Sequence, residues 1–455
     1  MSDLLSSVCQ ACIGDRYLKA EIAATGAPAV CDSCHRHDVT VSMEWLADKV
    51  EEALQHHYSY TSPDPDDGIP LDLLKEGGWE RSGDPLITVI ADMLCADEES
   101  ISECVHQILE DRNGDIECAK CGEEDPWSAD AHYARKRPDN SEYHDAWSEL
   151  ERTLRTESRF FNQRAAEVLS LVFDGVEELK SVFGMTELES GGPSHILNSI
   201  FRGRPAKNED ELKRILANPE KELGAPPKGT SSAQRLNAPG ISVFYGADSH
   251  ETVISEVRPH VGGRVVVARF KFLRNLRFLR ISSFKEIRPV GSDFDPAHLR
   301  RLKQAAFLRH LSKVLNRPVT PGEETTGYLV TQAVAEFLSK RFDGLIFSSV
   351  QAGTGFNVAL FGTATTVYVP PVKEGANIRV ECEQMTMDGP ETDYIVIGEG
   401  VEGTQRAPEQ SASSSGDTLL LERNTLKVHH VTAVKYQTTD HFVSRYPLNE
   451  DHTGF

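Results

Sequence analysis

From Met43 to His57 the chain runs MEWLADKVEEALQHH, with Trp45, Leu46, Val50 and Leu54 on the i, i+4, i+8 stripe of an amphipathic helix. The turn-rich SPDPDDGIP at Ser62–Pro70 ends it. Apolar periodicity predicts further helices over Leu86–Leu94 and Ile101–Leu109, and one long helix from about Tyr143 to Phe183, where SRFFNQRAAEVLSLVF repeats with helical period. All four tryptophans (Trp45, Trp79, Trp127, Trp147) fall in this helical stretch and are expected to anchor cores or interfaces.

After Glu189-Ser-Gly-Gly-Pro193, a linker signal, the period changes. Short β-rich runs follow: ISVFYGA, GRVVVARFKFL, LRFLRIS, DGLIFSS and NVALFG. Between them lie helical segments at Asn208–Leu216, Thr252–Val257, Pro296–Leu315 and Thr331–Arg341. Strands and helices do not alternate regularly, so an α+β arrangement fits better than a doubly wound parallel sheet. Strands are expected again at Ile378–Thr386, Tyr394–Ile397, Thr418–Glu422 and Leu426–Tyr436, with GTQRAPEQSASSSGD at 403–417 as a disordered loop. His429 and His430 are expected as strand or surface residues.

Charge divides the chain at a similar place. Residues 1–150 hold 33 Asp and Glu against 11 Lys and Arg, which accounts for the whole net charge of −22, and the remainder is balanced. That acidity disfavours nucleic-acid backbones and anionic lipid as partners, and serves equally as a solubilising surface. The opening MSDLLSSVCQACIGDRY lacks a basic flank and an apolar core, and no window approaches 18 uninterrupted apolar residues, so a cytoplasmic location away from membranes is expected. Nine cysteines, clustered as close pairs, fit metal ligation or reduced thiols better than a disulfide framework.

Cys9-x-x-Cys12 and Cys31-x-x-Cys34, with 18 residues between the pairs, match the spacing of a tetrahedral Cys₄ zinc site. Four thiolates leave no open position, so the expected role is structural, supplying folding energy that residues 1–40 could not draw from a core of their own. His35 or His37 could replace one thiolate. A second pair, Cys118 and Cys121, would need ligands from elsewhere, such as Cys95, Cys104, His106 or His132, and buried apolar cysteines are the plainer account. Arg137 and His144 resemble the R-x₄₋₆-H pair of HEPN ribonucleases, although a loop arginine followed by a solvated helix-start histidine explains them as well.

No G-x-G-x-x-G run or P-loop is present, so a nucleotide here would be held by side chains. Seven runs in order then carry a family resemblance: SIFRGR at 199–204, KELGAPP at 221–227, RLNAPGISVFYGA at 235–247 leading into ETVISEVRP at 251–259, VGGRVVVARF at 261–270, TQAVAEFLSKRFDGLIFSSVQ at 331–351 and NVALF at 357–361. Residues 197–369 resemble the RES domain, and the region before them resembles the HEPN/RES N-terminal extension of larger members. The resemblance implies an ADP-ribosyltransferase-like α+β fold. It also implies an enzyme that destroys NAD with inorganic phosphate or water as acceptor, acting as a toxin or defence effector.

The expected organisation is therefore a zinc ribbon at 1–40, an acidic helical HEPN-like domain at 41–193, a RES catalytic domain at 194–372 and a β-rich extension at 373–455. The resemblance gives Glu256 the task of stabilising an oxocarbenium-like ribose. Arg202 and Arg235 would grip the pyrophosphate or an incoming phosphate, Tyr245 would stack on nicotinamide, and Ser349 would bind ribose or phosphate. Taken singly, Tyr245 reads equally as a core aromatic, Glu256 as a solvated residue paired with Arg258, and each arginine as a surface charge. Arg204 shares a strand face with Arg202, and Ser348 adjoins Ser349, so both choices stay open. Two other readings are an ADP-ribosyltransferase that modifies a protein or nucleic acid, and a regulator that binds a partner through its zinc-bearing region. Expected partners are NAD and a protein antitoxin or regulator, with a homo-oligomer allowed.

Overall fold

The structure is a computed structural model, and it describes residues 5–64, 80–114, 124–179, 188–316, 327–370, 378–386, 389–398, 416–435 and 438–443. Cys118, Cys121, Trp79 and nearly all of the loop expected at 403–417 lie outside them. The chain mixes helix and sheet, and it divides into two compact units. One comprises Met1–Glu189 with Arg280–Phe337, the other Ser190–Leu279 with Leu338–Phe455. Among the described residues no helix is long and apolar enough to cross a membrane.

The first unit begins with a three-stranded sheet in the order Ser7–Cys9, His37–Ser42, Ala27–Val30. The helix Arg16–Thr25 starts where Asp15 accepts hydrogen bonds from the Tyr17 and Leu18 amides, at 3.0 and 2.9 Å. Helix Met43–His57 forms over its predicted span. Ser42 caps it through the Trp45 amide, and Leu46, Val50 and Leu54 are buried, so the apolar stripe faces the core. Leu86–Leu94 and Glu99–Asn113 pack on the same core.

The long helix expected from Tyr143 to Phe183 is two helices, Ser141–Thr156 and Gln163–Phe173. Phe161 between them takes a left-handed φ of 55°, which no helix accommodates. Asn162 then caps the second helix by accepting the Ala165 amide at 2.9 Å. Tyr143 and Trp147 pack around Phe307 of helix Pro296–Asn316, each with ring centroids 5.7 Å away. That helix belongs to the inserted stretch Arg280–Phe337, which groups with the N-terminal helices and not with the strands on either side of it.

The second unit is built on an eight-stranded sheet in the order Leu419–His430, Arg264–Phe272, Ser199–Ala206, Phe244–Ala247, Phe356–Leu360, Gly344–Ser348, Leu276–Arg280, Leu188–Gly191. Ser199–Ala206 pairs antiparallel with Arg264–Phe272, and Phe356–Leu360 pairs antiparallel with both its neighbours. Strand alternation gives the sheet two apolar faces. One carries Ile200, Phe244, Val266, Ala268, Phe270, Val358 and Leu360; the other carries Ala247, Val265 and Val267 beneath Val253. The strand from Leu419 is continuous where two were expected. A register shift between Val267 and Arg269 absorbs its polar middle, and Thr425 accepts the Arg269 amide at 2.9 Å. Ile378–Thr386 and Gly389–Gly398 form a separate antiparallel hairpin.

Candidate functional site

Glu256 sits in the last turn of the helix His250–Val257, which Ser249 caps by accepting the Thr252 amide. The residue as a whole is exposed, yet one carboxylate oxygen, Oε1, accepts two hydrogen bonds of 2.7 Å, from the Ser349 hydroxyl and from the Asn357 side-chain amide. Both donors are buried, at 4% and 7% exposure. Ser349 follows directly on the strand Gly344–Ser348, where the chain turns. Its amide donates to the Gly355 carbonyl and its hydroxyl accepts the Ala352 amide at 3.0 Å. The hydroxyl's proton is thereby directed to Glu256. Ser348 still belongs to the sheet, opposite Phe356.

Two glycines permit this approach. Gly355 has a φ of +93°, and a Cβ there would lie 2.5 Å from the Thr252 hydroxyl. Gly203 faces the Glu256 helix, and a Cβ there would lie 2.6 Å from Val253 Cγ1. A Gly203→Val substitution is expected to cost about 1–3 kcal/mol by overpacking and to displace the helix that carries Glu256. Thermal unfolding and catalytic assay of that variant check it, and an unchanged midpoint with unchanged activity would show that the contact is slack.

Tyr245 lies in the strand Phe244–Ala247, and its hydroxyl donates to Asn237 Oδ1 at 2.9 Å while accepting the Leu236 amide at 3.2 Å. These bonds latch the turn Gln234–Asn237, which carries Arg235. The Asn237 amide ties the same turn to the Ser232 and Ala238 carbonyls. Tyr245 and the Arg235 turn therefore form one piece.

Arg202 stands apart from Glu256. Phe201 pairs with Ala247, and Ala247 with Asn357, so these three share the Glu256 side of the sheet. Arg202, next in its strand, points to the opposite face. There its guanidinium lies 4.5 Å from the Phe244 ring centroid and donates to the Tyr245 carbonyl at 3.3 Å. Burial holds its pKa down, to about 10, so it stays charged at neutral pH. Arg204, on the same face, is bound by Glu222 at 2.7 Å and Glu211 at 3.0 Å.

The four N-terminal cysteines converge, with all sulfurs within 4.8 Å of one another. Cys9 is 3.6 Å from both Cys12 and Cys34, and Cys12 is 3.9 Å from Cys31. Ligand sulfurs about 2.3 Å from a tetrahedral ion stand about 3.8 Å apart, so the set fits a metal. His35 takes a left-handed φ of 57° and its amide donates to the Cys31 carbonyl at 2.8 Å, which closes a tight knuckle. Burial pushes the Cys9 and Cys12 thiols up, while the Arg36 amide holds Cys34 down, to about 7. Four thiolates held this close would need a cation to offset their charge. Among the described residues no other group of three or more potential ligands forms.

His144 packs edge-on against Phe307 at 5.1 Å and His310 at 4.8 Å, and Arg137 is exposed in the preceding coil. A cavity of about 620 Å³ in the first unit is lined by residues including Tyr143, Glu167, Asp174, Arg300 and Gln304, and by none of the predicted site residues. Asn357 and Asn237 were not singled out from sequence. An amide opening the apolar run NVALF is a signal, because a buried polar group on a strand must find a partner.

The second unit is thus a mixed sheet-and-helix domain with a single carboxylate clamped at one helix end, and the first bears a Cys₄ cluster. The chain carries a RES domain, matched over residues 211–379, and residues 24–168 match HEPN/RES N-terminal domain 1. Arg235, Tyr245, Glu256, Ser349 and Asn357 fall inside the RES match, and Arg202 precedes it. No curated protein matches the chain. The crystal structure of the M. tuberculosis MbcT-MbcA toxin-antitoxin complex aligns over 36% of this chain and 73% of that one, at 13% identity and a TM-score of 0.18, too low to establish a shared fold.

Proposed function

We propose that the Glu256 site binds NAD and breaks the bond between nicotinamide and ribose, as a toxin or defence effector that depletes NAD. The observation that carries this reading is the Glu256 carboxylate fixed by two buried donors within the residues that match the RES domain. As the bond to the pyridinium nitrogen breaks, its electron pair leaves with nicotinamide and positive charge builds on the ribose. A carboxylate held beside that carbon stabilises the charge and accepts a hydrogen bond from a ribose hydroxyl. A phosphate oxygen then attacks, giving ADP-ribose 1″-phosphate. With water instead, ADP-ribose forms and a proton is released.

Arg235, on the turn latched to Tyr245, supplies forked donors to the pyrophosphate, and the Tyr245 ring stacks on nicotinamide. Arg202, on the other face, steadies the strand that presents Tyr245 through its carbonyl. This division departs from the expectation that both arginines hold the pyrophosphate. Ser349 orients Glu256 through its hydroxyl. The Cys₄ cluster holds structural zinc. A protein antitoxin or regulator is the partner that the family resemblance supports.

The test is to incubate the purified chain with NAD labelled in its adenylate half and follow nicotinamide release. Nicotinamide is expected to appear in step with loss of NAD, with the label in small-molecule products. Label retained on protein or nucleic acid would favour a macromolecular acceptor, and intact NAD would overturn the reading.

A further inference from the structure

We propose that Asn357 is a positioning residue of this site, acting on the reaction through Glu256. The inference rests on the NAD-cleaving reading of that carboxylate. Asn357 lies in the strand Phe356–Leu360, held between two neighbouring strands by the pairs with Phe347 and Ala247. A strand inside a sheet is the stiffest support the unit offers, in contrast to the turn that carries Ser349. At 7% exposure the amide must find a partner, and that partner is a carboxylate oxygen at 2.7 Å. A carboxylate only accepts, so the NH₂ end of the amide faces it.

Glu256 is a long side chain exposed at a helix end, with several rotamers open to it in isolation. One donor would leave the carboxyl free to pivot. Two donors on the same oxygen, one from the sheet and one from the Ser349 turn, remove that freedom and leave the second oxygen uncommitted by this pair. Asn357 thereby sets the geometry of the charge that meets the ribose, without contact to the substrate.

The experiment compares N357A, N357L and N357D with the wild type, measuring kcat and KM for NAD cleavage and the thermal midpoint. N357A and N357L are expected to lower kcat by about 10- to 100-fold with KM within threefold, since geometry at the reacting centre is lost and substrate grip is not. N357D should be slowest near neutral pH, where two carboxylates meet, and should regain rate relative to N357A as the pH falls, because its new carboxyl donates only when protonated. A structural role alone would not produce that recovery, and N357L supplies the reference profile if N357A folds poorly. Wild-type kcat in N357A, or an N357D profile parallel to that of N357A, would overturn the inference while the NAD reading stands. A wild-type chain that leaves NAD intact would overturn both.

Discussion

Glu256→Gln is expected to lower the rate of NAD cleavage by about 10²–10³-fold, the scale of removing one preorganised electrostatic group from a transition state. The amide keeps the size of the side chain and loses the negative charge. It also brings a second consequence, because the Glu256 oxygen now accepts from both Ser349 and Asn357. Glutamine can present its carbonyl oxygen to those donors, so the fold should hold and the thermal midpoint should change little. KM should move less than kcat, because the proposed grip on the pyrophosphate is assigned to Arg235 and not to Glu256. A Glu256→Gln enzyme with wild-type kcat would mean that the clamped carboxylate serves structure alone.

How far this site was legible in sequence depends on the range of each interaction. Glu256 and Ser349 came from the family resemblance, and their mutual bond did not, since they are 93 residues apart. Asn357 is 101 residues from Glu256, and no local pattern joins a strand amide to a helix-end acid. Helix Met43–His57 was legible because its cap and stripe are local. The break after Thr156 was not, because apolar periodicity carries across SRFFN while Phe161 turns left-handed. Periodicity also could not say that the helix at Pro296–Asn316 packs with Tyr143 and Trp147, which is a matter of tertiary contact. The Cys pairs were the clearest case, since their spacing encodes the knuckle directly.

The second large effect concerns those cysteines. Cys9→Ser or Cys31→Ser is expected to abolish the proposed metal binding and unfold the strands around the four cysteines, because metal binding in small structural sites contributes on the order of 10 kcal/mol. Cys9 and Cys31 are fully buried, and each lies within 4.8 Å of the other three sulfurs. The loss should extend to the core that Val8, Ile13 and Leu18 share with Leu46 and Val50. Elemental analysis should find about one zinc per wild-type chain, little in these variants, and an unchanged amount in Cys95→Ser, whose thiol is exposed. A strong chelator should lower the unfolding temperature of the wild type. Metal-free wild-type protein of full stability would show that the four thiols pack without an ion.

The central claim is tested most directly by phosphorus NMR of NAD mixed with the purified chain, in the presence and absence of inorganic phosphate. The predicted result is loss of the NAD signals, with a new phosphate monoester of ADP-ribose if phosphate is the acceptor, or free ADP-ribose in both samples if water is. Unchanged NAD signals in both samples, from protein with intact fold and metal, would contradict it.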